Sequence, residues 1–233
     1  MGRQILPYST QNDFDPAQKG AINFSMYLPK HFQVDDVALL AALIEEFPLA
    51  TVIGVLDGVT EINHIPLLLS EDKTRLYGHV AKNNPLLKLA NQKNLKLSAV
   101  FHGPNAYITP SWYPSKQHEG KVVPTWNYAV VHAEGQLSLI DDPTWLKAHV
   151  ALMTNIYEST AQSTWKLEDA PETYIDSMLK AIVGIEIKID KLVGKFKLSQ
   201  NRPQEDYASV VDHLKQSPKD ALRQMLQYIT IPH

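Results

Sequence analysis

Cysteine is absent from this chain of 233 residues. Its absence excludes a disulfide scaffold, a cysteine-ligated zinc or iron–sulfur site and a catalytic cysteine. The ten glycines nowhere form a G-x-G-x-x-G turn, and no P-loop, H-E-x-x-H or G-x-S-x-G motif occurs. The carboxylates are scattered, so no glycosidase-like pair stands out. The sequence therefore lacks the signatures of common nucleotide-dependent and hydrolytic enzymes.

A surplus of basic charge is also missing. Lysine and arginine number 22 against 25 acidic residues, which gives a net charge of -3. Proteins that bind nucleic acid usually carry a basic surplus, so the charge does not support DNA binding. No apolar run approaches the roughly 20 residues of a membrane helix. The first residues contain no apolar signal core, and we therefore expect a cytoplasmic protein without a membrane partner.

The composition is that of a globular protein, with 44% hydrophobic and 20% charged residues. Residues 1–24 are polar and unpatterned, which predicts a flexible or extended N-terminal arm. No low-complexity linker or internal repeat interrupts the remainder. We therefore expect residues 25–233 to form a single domain.

Strand patterns dominate the first 140 residues, and helical patterns dominate the rest. Tight turns, such as the one at Asp57-Gly58, join the early strands, which favours an antiparallel barrel over a doubly wound sheet. The predicted class is mainly β with helical additions (α+β). Gly135 suggests a bulge, residues 103–124 a long connection, and residues 217–220 a capping box. Strands are predicted at 49–56, 61–69, 75–80, 95–102, 126–140 and 182–197. Helices are predicted at 36–46, 85–92, 142–159 and 171–181, and from Pro203 and Pro218.

Four histidines fall on or beside predicted strands. They could supply ligands to a metal or a haem, or each could cap a strand end or complete a hydrogen bond in the core. No short metal-ligand spacing joins them, so the second interpretation is favoured and no metal site is assigned. The four residues are His64, His79, His102 and His132.

Lys82 directly precedes a predicted helix whose N-cap is Asn84 and whose first residue is Pro85. A helix N-terminus presents free N–H groups and a partial positive charge, to which the lysine adds a full charge. The segment could therefore hold a terminal phosphate. The alternative is an ordinary N-cap with a solvated lysine.

An aromatic segment follows, with two of the four tryptophans and three of the ten tyrosines between residues 107 and 128. Such rings can form the wall of a planar ligand site, with asparagine and histidine as polar contacts. They can equally pack a loop or an interface between subunits. Trp126 and Asn127 are the candidates for ligand contact.

The sequence resembles the PaiB family of bacterial proteins, which are often labelled negative transcriptional regulators. The resemblance extends from Met26 to about Leu222. It implies an antiparallel split β-barrel of the FMN-binding type, related to pyridoxamine phosphate oxidase, and a homodimer with FMN at the subunit interface. The matching blocks are residues 26–32, 64–69, 78–85, 101–113, 123–128 with His132, and 194–202.

The resemblance also implies a cofactor site on two successive strands. In the wider barrel group the first of these strands begins with Arg and ends with Lys, whereas here the run begins with His64 and ends with Leu69. The second strand has one basic residue, Lys82, where that group has a basic pair. Together with the aromatic segment, the expected cofactor-binding residues are His64, Ile65, Pro66, Leu67, His79, Val80, Lys82, Asn83, Trp126 and Asn127.

The functional hypothesis is a dimeric FMN-binding protein, a redox protein or sensor whose flavin passes hydride or electrons to a small partner. No general base is evident, and His79 and His102 are candidates by position only. One alternative is a regulator that acts through DNA or a protein partner, and another is a haem-binding member of the barrel group. The basic residues between 188 and 202 are diluted by Glu186 and Asp190, which predicts a solvated sheet face rather than a DNA site.

Overall fold

The computed structural model describes residues 24–90, 92, 96–118 and 120–229, so nearly all of the predicted N-terminal arm lies outside the described residues. The described residues form an eight-stranded antiparallel sheet with helices packed around it, which confirms the predicted class. The strands are β1 (Gln33–Val34), β2 (Leu49–Leu56), β3 (Val59–Pro66), β4 (Leu68–Leu69), β5 (Arg75–Ala81), β6 (Leu97–Ile108), β7 (Thr125–Ile140) and β8 (Ile182–Lys197).

The helices fall mainly in the second half of the chain, as predicted. They are α1 (Val37–Glu46), α2 (Pro143–Thr160), α3 (Glu172–Lys180), α4 (Gln204–Lys215), α5 (Asp220–Gln224) and α6 (Leu226–Ile229). Short 3-10 helices cover Lys30–Phe32, Pro85–Leu89, Pro110–Trp112, Pro114–Gln117 and Leu167–Asp169. Among the described residues, no helix is long and apolar enough to cross a membrane.

The hydrogen-bonded strand order is β3-β2-β6-β7-β8-β5-β4, with β1 added to β8. The path does not close through β3, yet its two ends come near each other. A Cβ placed on Gly78 of β5 would lie 3.2 Å from the Pro66 carbonyl oxygen at the end of β3. The sheet is therefore a barrel that remains split between β3 and β5.

The first helix and the first hairpin follow directly from local sequence. The Asp36 side chain accepts hydrogen bonds from the backbone N–H groups of Ala38 and Leu39, so it caps α1 as predicted. The helix buries an apolar stripe in the core. Asp57 and Gly58 both have positive φ, 51° and 79°, which suits the tight turn from β2 to β3.

Strand β6 extends farther than its sequence indicates. It was expected to end at residue 102, but it passes through Gly103 and continues to Ile108. A register shift between His102 and Asn105 absorbs the glycine and the following proline. A Cβ on Gly103 would lie 2.9 Å from Leu43 of α1, so glycine allows the strand to pass the helix. The bulge predicted at Gly135 is confirmed by a second register shift.

Two helix predictions need correction. The helix expected at 85–92 is the 3-10 helix Pro85–Leu89, although Asn84 caps it as predicted. The capping box expected at residues 217–220 is absent from the structure. Ser217 Oγ accepts a hydrogen bond from the Lys219 backbone N–H, and α5 begins only at Asp220.

Candidate functional site

One face of the sheet gathers three of the four strand histidines. Thr51 of β2 pairs with His64 of β3 and with Val100 of β6, and Val100 pairs with His132 of β7. Directly opposed residues point to the same side of a sheet, so these side chains form one cross-strand row. His64 Nδ1 lies 3.2 Å from the Thr51 hydroxyl. We call this side the outer face.

The outer face extends beyond that row. It comprises Leu49, Thr51, Ile62, His64, Pro66, Val100, His102, Tyr107, Trp126, Tyr128, His132, Lys195 and Lys197.

Large apolar side chains on the outer face are open to solvent. Leu49, Ile62, Tyr107 and Trp126 are each at least 50% exposed. The Tyr107 and Trp126 rings meet edge to face, with centroids 5.9 Å apart. Such patches on a globular protein mark a surface for a ligand or a partner.

His132 occupies an electropositive part of the outer face. Its burial lowers the pKa of the imidazole, and the neighbouring His102, Lys191 and Lys195 lower it further. The ring is therefore neutral at neutral pH. A neutral imidazole can donate or accept a hydrogen bond toward a bound molecule.

His79, the fourth histidine, lies apart from this group, beneath α2. Its ring centroid is 5.7 Å from that of His149, which is 6% exposed and stacks on Trp145 at 4.8 Å. Burial lowers the pKa of both imidazoles, that of His149 to about 4. Neither His79 Nδ1 nor His149 Nε2 has a hydrogen-bond partner among the described residues. The pair is therefore uncharged at neutral pH.

A cavity of about 880 Å³ opens beside this pair, between α2 and strands β4 and β5. Apolar side chains form most of its wall, and the aromatic rings of Tyr77 and Trp145 border it together with His149. A space of this size and character suits a small planar ligand. Carboxylates and one guanidinium lie at its rim, namely Glu45, Glu71, Asp72 and Arg75.

Lys82 and Asn83 are exposed where β5 ends. The adjoining Asn84 donates from Nδ2 to Asn63 Oδ1 of β3 at 2.7 Å, which ties this turn to the strand that carries His64. Asn84 Oδ1 also accepts from the Leu86 N–H at 2.9 Å, so the first N–H of the 3-10 helix is already satisfied. Any phosphate at this turn would therefore depend on the Lys82 ammonium rather than on the helix end.

Lys82 borders a second cavity, of about 650 Å³, whose wall carries charges of both signs. Asp141 and Asp142 line it, and so do Lys147 and Lys180. A phosphate at Lys82 would therefore have both lysines and carboxylates nearby.

Several expected contact residues point into the core. Ile65, Leu67 and Val80 are buried there, and Pro66 is half-buried. Only the backbone of Ile65, Leu67 and Val80 is available to a ligand, whereas Pro66 pairs with Leu49 and lies on the outer face. Strand β3 ends the hydrogen-bonded path among the described residues, so its outer edge has backbone groups without a strand partner.

Asn127 is fully buried on β7 and exchanges hydrogen bonds with Ser199. Asn127 Nδ2 donates to Ser199 Oγ at 2.9 Å, and Ser199 Oγ lies 3.1 Å from Asn127 Oδ1. This side chain fastens β7 to the segment that follows β8. The neighbouring Trp126 points the opposite way, onto the outer face.

The structure brings together only part of the expected cofactor site within one chain. The Lys82–Asn84 turn is fastened to β3 by the hydrogen bond between Asn84 and Asn63, but Asn63 and the adjacent His64 point to opposite faces of the strand. Trp126 instead pairs with Tyr107, seven residues along β6 from the row that contains His64. Three features fit a flavin: the free edge of β3, the lysine Lys82 and the exposed rings of Tyr107 and Trp126. The first two lie in one region of the chain, and the rings lie in another.

Sequence reasoning missed two sets of residues. Trp145 and His149 have the i, i+4 spacing of one helix face, which indicated only an amphipathic helix. The prediction of a solvated basic face is wrong for Lys195, which is 8% exposed. Glu186 and Asp190 do not neutralise it, because they pair with Arg75 and Lys96.

Comparison with known proteins finds a family model and several relatives that match most of this chain. A family model described as "Putative FMN-binding domain" matches residues 26–191. Protease synthase and sporulation protein PAI 2 of Bacillus subtilis is 31% identical over 204 residues, covering 87% of this chain and 95% of that protein. An uncharacterized protein of Emericella nidulans is 33% identical over 233 residues, covering 84% of this chain and 93% of that protein.

Solved structures share the fold at low sequence identity. The flavocytochrome Anf3 of Azotobacter vinelandii superposes with a TM-score of 0.53 at 16% identity, covering 76% of this chain and 75% of that one. The FAD and heme binding protein of Mycobacterium smegmatis gives a TM-score of 0.54 at 17% identity, covering 76% and 80%. The family match and the identity to PAI 2 extend over most of the sequence, and this chain therefore belongs to the PaiB family of FMN-binding-domain proteins.

Proposed function

We propose that this protein is a homodimer that binds FMN between its subunits and acts as a redox protein or a redox sensor. The observation that carries the proposal is the exposed outer face, where aromatic and aliphatic side chains lie open next to histidines. Family membership supplies the cofactor class. A face of this kind is covered when a flavin and a second subunit pack against it.

The residues expected to bind the cofactor lie in two separate regions of the chain, and this favours a site formed by two subunits. One chain offers His64, the free edge of β3 and Lys82, whereas Trp126 and Tyr107 lie elsewhere on the same face. If two outer faces meet, the rings of one subunit cover the β3 edge of the other. The flavin ring then lies between them, and Lys82 binds its phosphate.

The bound flavin would supply hydride or electron transfer, which no side chain of the protein can provide. The residues of this chain would position the ring and exclude water. His149 is buried, His79 is half-buried and both are uncharged, so His149 presents a neutral hydrogen-bonding group to the cavity under α2. That cavity is the proposed site for the small partner that exchanges electrons with the flavin.

An absorbance spectrum of the purified full chain, taken before and after addition of FMN, tests the proposal. A flavin spectrum that stays with the protein through gel filtration, at the elution volume of a dimer, supports it. A haem band without flavin would instead assign the haem-binding alternative, and the absence of any flavin binding would overturn the proposal.

A regulatory role through DNA is the second candidate, because the sequence resembles a family whose members are often labelled negative transcriptional regulators. The net charge of -3 gives it little support. Binding of the purified protein to random-sequence DNA at increasing salt concentrations measures the electrostatic component directly. Affinity that does not appear even at low salt excludes direct DNA binding, and regulation would then act through a ligand or a protein partner.

A further inference from the structure

The charged residues of β8 and its continuation divide into two groups. Up to residue 191, every charged side chain of β8 except Lys188 forms an ion pair with a neighbouring segment. Glu186 pairs with Arg75 at 3.5 Å, Asp190 with Lys96 at 3.2 Å, and Lys191 with Glu134 at 3.5 Å. Lys195, Lys197 and Arg202, which follow along the chain, also have no carboxylate within 4.0 Å among the residues that the structure describes.

Neutral oxygens hold these three cations in place. Lys195 Nζ donates to the Tyr27 carbonyl at 2.8 Å. Lys197 Nζ donates to the Thr125 hydroxyl and to the Trp126 carbonyl, the latter at 2.7 Å. Arg202 Nη2 donates to the Val123 carbonyl at 3.3 Å, so Lys197 and Arg202 both bind the segment from residue 123 to 126.

Aromatic rings restrict the same cations. The Arg202 guanidinium lies 4.6 Å from the centroid of Tyr113, and Lys195 Nζ lies 5.3 Å from that of Tyr27 and 5.6 Å from that of Tyr128. Cation–π contacts of this kind fix a charged group without neutralising it. These contacts therefore hold the cations in place close to one another and leave their positive charge unneutralised.

The three cations repel one another when the folded chain holds them close together, and this repulsion opposes folding. Burial lowers the pKa of Lys197, and the positive charges of Arg202 and Lys195 lower it further. Asp206, an acid near Tyr113 and Arg202, is buried and accepts hydrogen bonds from the Ser115 N–H at 3.1 Å and hydroxyl at 2.7 Å. Its carboxylate is thus engaged with Ser115. A bound anion would offset the repulsion among the cations.

We propose that Lys197 and Arg202, supported by the charge of Lys195, form a binding site for a phosphate group. A guanidinium can contact two phosphate oxygens at once, and an ammonium adds a second full charge. The exposed Trp126 ring lies beside the segment that both cations bind. The phosphate group belongs either to the flavin or to a second phosphorylated ligand that stacks on this ring.

The experiment uses the full chain without flavin and inorganic phosphate as the probe, with sodium chloride added to match ionic strength. Phosphate that binds the folded protein raises its melting temperature, and titration of this rise gives a Kd. We expect Lys197→Gln and Arg202→Gln each to weaken phosphate binding about 10- to 150-fold, the range for one charge-assisted contact. Lys191→Gln is the matched control on the same strand, because Glu134 already pairs with Lys191.

Equal phosphate affinity in the wild type and in both variants would overturn the proposal, as would the absence of any phosphate-dependent rise in the wild type. The use of two variants on different segments guards against one that fails to fold. Because no flavin takes part in this titration, its result is independent of the proposed FMN function.

FMN and riboflavin then identify the source of the phosphate group. A loss of FMN affinity in Lys197→Gln with unchanged riboflavin affinity assigns the site to the flavin phosphate. Simultaneous binding of phosphate and FMN with independent affinities assigns it to a second ligand.

Discussion

His149 is a buried histidine that remains neutral, and this has a consequence for acid stability. Its pKa falls from the ordinary value of 6.5 to about 4 in the folded protein. Between these values the unfolded chain binds more protons than the folded one, so the free energy of unfolding decreases as the pH falls from 6.5 to 4. The loss from this residue is roughly 3 kcal/mol.

The variant His149→Phe keeps a ring against Trp145 and removes the titration. We expect its free energy of unfolding to change less with pH between 6.5 and 4 than that of the wild type, as measured by urea denaturation. His118→Phe is the control, because His118 is exposed. If the pH dependence of His149→Phe equals that of the wild type, another group causes the acid sensitivity.

Lys82 is the second residue whose charge can be tested in isolation. One charge-assisted contact to a phosphate contributes about 1.5–3 kcal/mol, so Lys82→Ala should weaken FMN binding about 10- to 150-fold. Riboflavin has no phosphate, and its affinity should remain unchanged in a fluorescence titration. Lys88→Ala removes an exposed lysine from the adjoining 3-10 helix and serves as the control. Equal losses for FMN and riboflavin would remove Lys82 from the phosphate site.

At the scale of secondary-structure elements, the link between β7 and the segment after β8 depends on one buried pair. Asn127→Ala would leave the Ser199 hydroxyl without its partner, and an unsatisfied buried polar group costs about 1–3 kcal/mol. We therefore expect a lower melting temperature for Asn127→Ala. Replacing Asn127 and Ser199 together by alanine removes both polar groups and should restore part of the loss.

Substitution of the neighbouring Trp126 tests flavin binding without a large effect on the stability of the fold. The ring is exposed, so Trp126→Ala should leave the melting temperature nearly unchanged and weaken flavin binding by about 0.5–1.5 kcal/mol through loss of a stacked ring. A flavin affinity equal to that of the wild type would assign Trp126 to another role on the outer face. Sequence alone placed both residues in one site, although both lie in the strand predicted at 126–140, where adjacent side chains point to opposite faces.

The elements that sequence predicts well are those fixed by local interactions. Asp36 before an apolar periodic run determines the start of α1, and Asp57-Gly58 determines the first hairpin. The continuation of β6 beyond Gly103 could not be predicted in this way, because Gly-Pro ordinarily interrupts a strand. Tertiary contacts explain why a glycine is required there, because a Cβ would lie 2.9 Å from Leu43 of α1 and 3.0 Å from the Ala129 carbonyl oxygen of β7.

In the candidate site, too, the features fixed by neighbouring residues could be predicted, whereas those fixed by tertiary contacts could not. The turn that carries Lys82 and its cap by Asn84 could be predicted from neighbouring residues. The proximity of His79 to His149 joins residues 70 positions apart, and no spacing rule connects them. Charge counting along residues 188–202 failed because cross-strand partners neutralise Glu186 and Asp190 instead of the lysines beside them.

For the whole molecule, the question is what covers the outer face. Leu49 lies on this face and is 60% exposed. If two copies pack through the face, Leu49→Glu places a charge in the interface, and an unpaired buried charge opposes association. We expect light scattering to show a dimer for the wild type at micromolar concentration and a monomer for Leu49→Glu.

The same variant tests whether the flavin site needs two subunits. With the rings of one subunit covering the β3 edge of the other, a monomer has only half of the site. Leu49→Glu should then lose FMN affinity together with dimerisation, and the wild-type affinity should fall when the protein is diluted below its dimer dissociation constant. Met178→Glu is the matched control, because Met178 is exposed on α3, away from the outer face and from the residues that line the cavity under α2. A monomeric wild type, or a monomeric variant that binds FMN as tightly as the dimer, would place the complete flavin site within a single chain.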